Sequence, residues 1–184
     1  MPIAVDAYTM GGVASGVSPR PGHIREAIEQ EGRLVLERVE WRPLDGAPGQ
    51  SIREASIPVD DILIAVAAEP DSLPIHAQWH AIRLELGPYV VEGDMPTMPG
   101  FDPGRALTRP TGEFVLLRDV RLGRRLPGRA APADRRIGDH ALVNRYVVET
   151  VEADLMLGFF FPGAEMISAP DDSPALPAVG GPGS

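Results

Sequence analysis

From residue 82 to residue 86 the chain alternates strictly, with Ile82, Leu84 and Leu86 apolar and Arg83 and Glu85 charged. A period of two predicts a β-strand with one buried face. Gly87-Pro88 interrupts the alternation, and Tyr89-Val90-Val91-Glu92-Gly93 resumes it as a further strand in which Gly93 marks a bulge that bends the backbone. A different spacing holds where Ile24, Ala27 and Ile28 fall at i, i+3 and i+4. It predicts a short helix, entered after Pro21 and stopped by Gly32 at its C′ position. Phe114–Leu117 is apolar throughout and predicts a buried strand. Before it, Asp102 and Pro103 predict the N-cap and first residue of a second short helix ended by Pro110.

The same marks recur in the same order. Tyr8 and Gly12 reappear 81 positions on as Tyr89 and Gly93, Pro21-Gly22 reappears 82 on as Pro103-Gly104, and Val35–Trp41 lies over Leu116–Leu122 at 81. A last strand, Ile62–Val66, lies over Val147–Val151 at 85. Collinear order at near-constant spacing predicts a tandem duplication, each copy running strand, turn, short helix, strand, loop, strand. The expected fold is mainly β: two tandem small antiparallel β-barrel-like units, each with one short helix, plus a disordered C-terminal tail. The expected boundaries are 1–70 for the first β-unit, 71–81 for a linker and lead-in strand, 82–163 for the second β-unit and 164–184 for the Pro/Gly-rich tail. The apolar run Leu155–Phe161 is expected to be ordered, either as a last strand that seals the second unit or lies across the first, or as an exposed self-association patch.

Composition narrows the chemistry. With 184 residues, 43% of them hydrophobic, the chain can bury a core, and 20 Gly with 20 Pro suit a fold dense in turns. Cysteine is absent, which excludes disulfides, thiolate nucleophiles and Cys-ligated metals together and fits a cytoplasmic protein. Met1–Asp6 lacks the basic and apolar regions of a signal peptide. No apolar run approaches the roughly 20 residues of a spanning helix, so no membrane insertion is expected.

All 17 basic side chains are arginine. Seven of them, Arg118, Arg121, Arg124, Arg125, Arg129, Arg135 and Arg136, crowd into residues 118–136 against Asp119 and Asp134, giving +5 within a chain of net charge −9. An arginine loop of this kind either grips phosphates or an acidic partner through bidentate forks, or it is a solvated connection that offsets the acidic body. Asp60-Asp61 and Asn144-Arg145 fall at corresponding places before the last strand of each copy. Candidate contacts to an anionic partner are therefore Arg118, Arg121, Arg124, Arg125, Arg129, Asn144 and Arg145.

No catalytic residue, metal ligand or cofactor site is predicted. His76 and His80 share a face only on a helix, and the flanking alternation reads as strand, where i and i+4 lie about 13 Å apart. Gly11-Gly12-Val13-Ala14-Ser15-Gly16 fits neither a dinucleotide fingerprint, a phosphate loop nor a nucleophile elbow, and reads as a turn. Trp41 and Trp79 read as core or interface anchors.

Tyr89–Gly93, Phe114–Val120 and Val143-Asn144-Arg145 together resemble uncharacterised bacterial proteins built from small β-domains. More distantly, the strand order and the segment Leu117-Arg118-Asp119-Val120 are similar to Sm-like barrels. That resemblance implies ring assembly and RNA binding. Two departures go with it: the helix follows the first strand instead of preceding it, and Arg145-Tyr146 stands where the resemblance implies an Arg-Gly pair.

The leading expectation is a non-enzymatic binding or assembly module with a protein partner or self-association. The alternatives are an RNA- or nucleotide-binding protein using the arginine loop 118–136, and a small-molecule site or enzyme at the cleft between the two units.

Overall fold

The computed structural model describes residues 2–20, 23–67, 76–97, 112–125, 136–154, 157 and 160–168, with the backbone alone at 136–139. In chain order the elements are β1 (Ile3–Tyr8), β2 (Gly12–Ser18), α1 (Ile24–Glu31), β3 (Arg33–Pro43), β4 (Gln50–Pro58), a 3-10 turn (Val59–Asp61), β5 (Ile64–Ala67), β6 (Gln78–Leu86), β7 (Tyr89–Thr97), β8 (Phe114–Arg124), β9 (Arg136–Asn144), β10 (Thr150–Ala153) and β11 (Glu165–Ser168). The fold is mainly β, as the alternation predicts. In place of two closed units, however, the described strands form one open 11-stranded sheet in the order β11-β10-β6-β7-β8-β9-β5-β1-β2-β3-β4.

Within that sheet the pairing order β5-β1-β2-β3-β4 recurs as β10-β6-β7-β8-β9. The hydrogen bonds outside the regular ladders recur with it. The Leu63 N–H donates to the Tyr8 carbonyl and the Glu149 N–H to that of Glu85; the Leu44 N–H donates to Gly11 and the Arg125 N–H to Pro88; the Val59 N–H donates to Gly32 and the Arg145 N–H to Glu113. The register places these pairs 77 residues apart in β1–β2 and β6–β7, 81 in β3 and β8, and 86 in β4–β5 and β9–β10. Gly93 therefore corresponds to Gly16, and the identical letters Tyr8/Tyr89 and Gly12/Gly93 do not superpose. The two hairpin turns are equally long, Tyr8 pairing with Val13 as Glu85 does with Val90; the change of offset from 77 to 81 falls between β2 and β3 in the first half and between β7 and β8 in the second.

Both glycines serve one device. β3 carries an extra residue against β2, between the pairs Ser15↔Glu40 and Val17↔Glu37, and β8 carries one against β7, between Glu92↔Arg121 and Asp94↔Arg118. At these bulges Arg38 and Asp119 adopt φ of 53° and 52°. A Cβ on Gly16 would stand 3.0 Å from the Glu37 carbonyl oxygen, and one on Gly93 2.9 Å from that of Arg118. Bulge and glycine come together because only a residue without Cβ lets the bulged carbonyl approach. The left-handed backbone at Asp119 is costly for a residue with a Cβ. Asp119→Gly is expected to raise the urea midpoint, by about 0.5–1 kcal/mol of stability. A lower midpoint would mean that the Asp119 side chain contributes more than its backbone strain costs.

Packing follows the alternation. Ile82, Leu84 and Leu86 are buried, with Arg83 and Glu85 between them half-buried. Ile24 and Ile28 are the buried face of α1, whose end is fixed by Gly32 at φ 65° with its N–H donating to the Ile28 carbonyl at 2.9 Å. The apolar run at the start of β8 is buried on both faces. Phe114 and Leu116 join a core with Ile28, Leu36 and Ile62 of the first half, while Val115 and Leu117 join one with Leu84, Val91 and Phe161 of the second. β9 divides in the same way, with Leu142 in one core and Ala141 and Val143 in the other. Each half thus completes the other's core.

The run expected as a sealing strand does not form one in its described part: Leu157 and Phe161 are fully buried in the second core, and Phe160 lies in a 3-10 turn. The outer edge is sealed by β11, which pairs parallel with β10. The second helix, the Pro70–Pro74 linker and the tail beyond Ser168 lie outside the described residues.

Candidate partner-binding edge

β4 reads Gln50-Ser51-Ile52-Arg53-Glu54-Ala55-Ser56-Ile57-Pro58 and, among the described residues, pairs on one side only, with β3. Seven of its nine residues are exposed; Ala55 and Ile57 are half-buried. Nine residues of free edge are long for an end strand, and the two charges, Arg53 and Glu54, sit at its centre. Pro58 closes one end.

Behind this edge lies a groove of about 410 Å³, walled by Ala14, Val39, Trp41, Ala55, Ile57 and Leu63 among others, with Asp60 and Asp61 at its mouth. Gly12 lets the Trp41 indole lie flat against β2, because a Cβ there would stand 2.7 Å from the ring and 2.5 Å from the Arg42 carbonyl oxygen. The walls of the groove have counterparts in the second half. Val39, Trp41, Ala55 and Ile57 correspond to Val120, Leu122, Ala141 and Val143, all buried in one core that Tyr8, Leu63 and Ile64 of the first half complete. There β5 lies antiparallel on β9, with Ile64 opposite Val143 and the Asn144 N–H donating to the Leu63 carbonyl at 2.9 Å. The seat filled at the middle of the sheet is open at its end among the described residues.

The joint in the middle is polar as well as apolar. The Tyr89 hydroxyl donates to the Thr9 carbonyl at 2.8 Å and lies 3.2 Å from that of Gly12, and its ring meets Tyr8 edge to face with centroids 5.4 Å apart. Burial, reinforced by Tyr8 and only partly offset by Arg124, holds the phenol protonated well above its ordinary range. Below the ordinary value of 10.0 both folded and unfolded chains keep this proton; above it only the unfolded chain releases it. Stability is expected to fall as pH rises beyond 10.0. In Tyr89→Phe that alkaline loss should shrink, a comparison readable from urea midpoints at pH 9 to 11; an unchanged slope would assign the loss to other groups. Asn144 is buried too, its side-chain N–H 3.4 Å from the Ile62 carbonyl.

The arginines predicted as an anion-binding loop are placed differently. Arg118, Arg121 and Arg124 lie within β8 and Arg136 begins β9, so only part of 118–136 connects strands. Arg118 stacks on Trp79, 3.9 Å from the ring centroid, 3.5 Å from carboxylate oxygens of Asp94 and Asp119. Arg125 bridges Glu149 at 2.6 Å and Glu85 at 3.3 Å. Its hydrogen bond pulls the Glu149 carboxyl below the usual range, and the Arg125 pKa is raised in return. Arg124 donates to the Leu44 carbonyl, and Arg145 is buried with its guanidinium over the Tyr146 ring. Arg121 lines a second, charged cleft of about 530 Å³ with Arg83, Glu92, Asp94, Asp119 and Glu152. Arg129 lies outside the described residues. Among the described arginines the partners are separate: Trp79 and Asp94 for Arg118, Leu44 for Arg124, Glu149 and Glu85 for Arg125, and Tyr146 for Arg145.

His80 is in β6, its Nε2 2.8 Å from Thr97 Oγ1, while His76 is in the preceding turn. Among the described residues no three His, Asp or Glu side chains gather as a metal-binding group, and no helix is long and apolar enough to cross a membrane. No protein-family model, curated protein or solved structure matches the chain.

Proposed function

We propose that this chain is a non-enzymatic binding or assembly module of the cytoplasm, built from two diverged copies of one five-stranded unit. Support for the duplication comes from the recurring strand order, the paired bulges and the matched hydrogen bonds. One observation carries the functional reading: β9 and β4 correspond, and β9 is covered by a strand whereas no described residue pairs with the outer side of β4. Divergence has left one copy as the structural partner and the other as the presenting one. A native mass spectrum and sedimentation run on the full chain test this. Retained protein or a discrete assembly is expected, whereas a monomer carrying a nucleotide or small metabolite would replace the reading with one of its alternatives.

An anionic partner at the end of β8 is the second reading, favoured by the exposed pair Arg124 and Arg125 leading towards Arg129. Their joint neutralisation, with a gel shift at low salt, decides it. The likeness to Sm-like barrels belongs to the same proposal. Its RNA-binding half has the smaller support, because Arg145 is buried against Tyr146.

A further inference from the structure

We infer that the free edge of β4 receives an extended segment of a basic partner polypeptide, added antiparallel as a twelfth strand with apolar side chains lodged in the groove over Trp41. The inference rests on the reading of the chain as a binding module and names the occupant of its site.

The molecule contains its own precedent. On β9, the strand corresponding to β4, β5 sits antiparallel and contributes Leu63 and Ile64 to the core that Val120, Leu122, Ala141 and Val143 line; Tyr8 of β1 enters the same core. The corresponding walls around β4, Val39, Trp41, Ala55 and Ile57, are apolar too and have no such filling among the described residues. The hydrogen-bonding direction is also fixed. Because the Asn144 N–H points outward to β5, so does that of Leu142 two residues earlier, and the corresponding outward donor on β4 is that of Ser56. Pro58 stands where Asn144 would donate, so the added ladder starts at Ser56 and continues at Glu54. Strand addition of this kind draws affinity from main-chain bonds and specificity from alternate side chains.

A second copy of this chain is a poor occupant. Its strand corresponding to β5 is β10, and the residues corresponding to Tyr8, Leu63 and Ile64 are Glu85, Glu149 and Thr150. Docked in the same way, Glu85 and Glu149 would enter an apolar groove beside Asp60 and Asp61, and two molecules of net charge −9 would have to meet. The outer edge of β10 is moreover already taken: the Glu165 N–H of β11 donates to the Glu149 carbonyl at 2.8 Å, as Asn144 does to Leu63. The pair of aspartates at the groove mouth selects instead a segment with basic residues flanking its apolar ones.

The probe is a peptide copying Ile62–Ala67 with two lysines at each end, titrated into the full isotope-labelled chain and followed by amide and indole NMR shifts. Expected are shifts confined to β4, Trp41 and the 3-10 turn, slowed exchange at the Ser56 and Glu54 amides, and binding at least tenfold weaker when the flanking lysines are glutamates. Ser56→Pro should abolish binding, and the double change Asp60→Lys with Asp61→Lys should remove the preference for lysine flanks; both variants must retain the wild-type spectrum away from β4. Absence of β4 shifts, or equal binding to Ser56→Pro, overturns the inference. So does a concentration-dependent dimer lost in Ser56→Pro, which assigns the edge to a second copy. A native partner held equally by wild type and Ser56→Pro leaves the binding-module reading standing and moves its site off β4, whereas no retained partner and no peptide binding removes both.

Discussion

Ile64→Asp is expected to unfold both halves of the protein together. Ile64 is fully buried in β5, hydrogen-bonded between β1 and β9, and belongs to the core of the second half although it is covalently part of the first. A carboxyl placed there loses the packing of the isoleucine and must be buried charged or forced to protonate, a combined cost of several kcal/mol that is comparable with the roughly 5–15 kcal/mol by which a domain is stable. The milder Ile64→Ala leaves a cavity at a cost of about 2–5 kcal/mol and should lower a single unfolding transition without splitting it. Far-ultraviolet circular dichroism against urea reads both. If Ile64→Asp retained a native signal from one half, the two cores would be independent and the interlocking of Phe114, Leu116, Tyr8 and Leu63 would not be what holds them.

The second large effect is expected at the bulges. Gly93→Ala and Gly16→Ala should each destabilise by about 1–3 kcal/mol, because each new methyl would press on a backbone oxygen at 3.0 Å or less and the bulged strand must shift to admit it. The costs should be alike, since the two sites meet the same neighbours: Glu37, Leu36 and Val39 at one, Arg118, Leu117 and Val120 at the other. Gly32→Ala is the contrast, with open space around the new methyl and only its φ of 65° to disfavour it. A tolerated Gly16→Ala beside a damaging Gly93→Ala, measured as urea midpoints, would break the correspondence between the halves.

Strong local patterns showed through in the sequence. The alternation Ile82–Leu86, the spacing of Ile24 and Ile28 with Gly32 after them, and the bulge at Gly93 are set by near neighbours, so a single stretch of chain reveals them. The apolar run Phe114–Leu117 was legible as buried, but the reason was not: each face belongs to a different core, a fact of tertiary pairing. β4 was hidden because an edge strand with seven exposed residues carries little apolar alternation. β9 was hidden because its arginine-rich approach reads as loop. Identical letters place the first hairpin four residues off, since the offset changes from 77 to 81 in the connection between β2 and β3 and its counterpart between β7 and β8; the chemistry of the bulge, a glycine opposite a left-handed residue, marks the correspondence. The candidate edge itself could not be seen in one dimension, because it is defined by what fails to pair with it.

Two corresponding halves join through β5 and β9 into one sheet, and β4, unpaired on its outer side among the described residues, is the edge proposed for binding. Amide hydrogen exchange on the full chain tests this arrangement most directly. The account predicts that amides of β5, β8 and the paired part of β9 are the slowest and open together in one global event, while the outward amides of Ser56 and Glu54 exchange fastest among the strands of the first half. Two separate blocks of protection, with β5 and β9 exchanging as fast as β4, would contradict it.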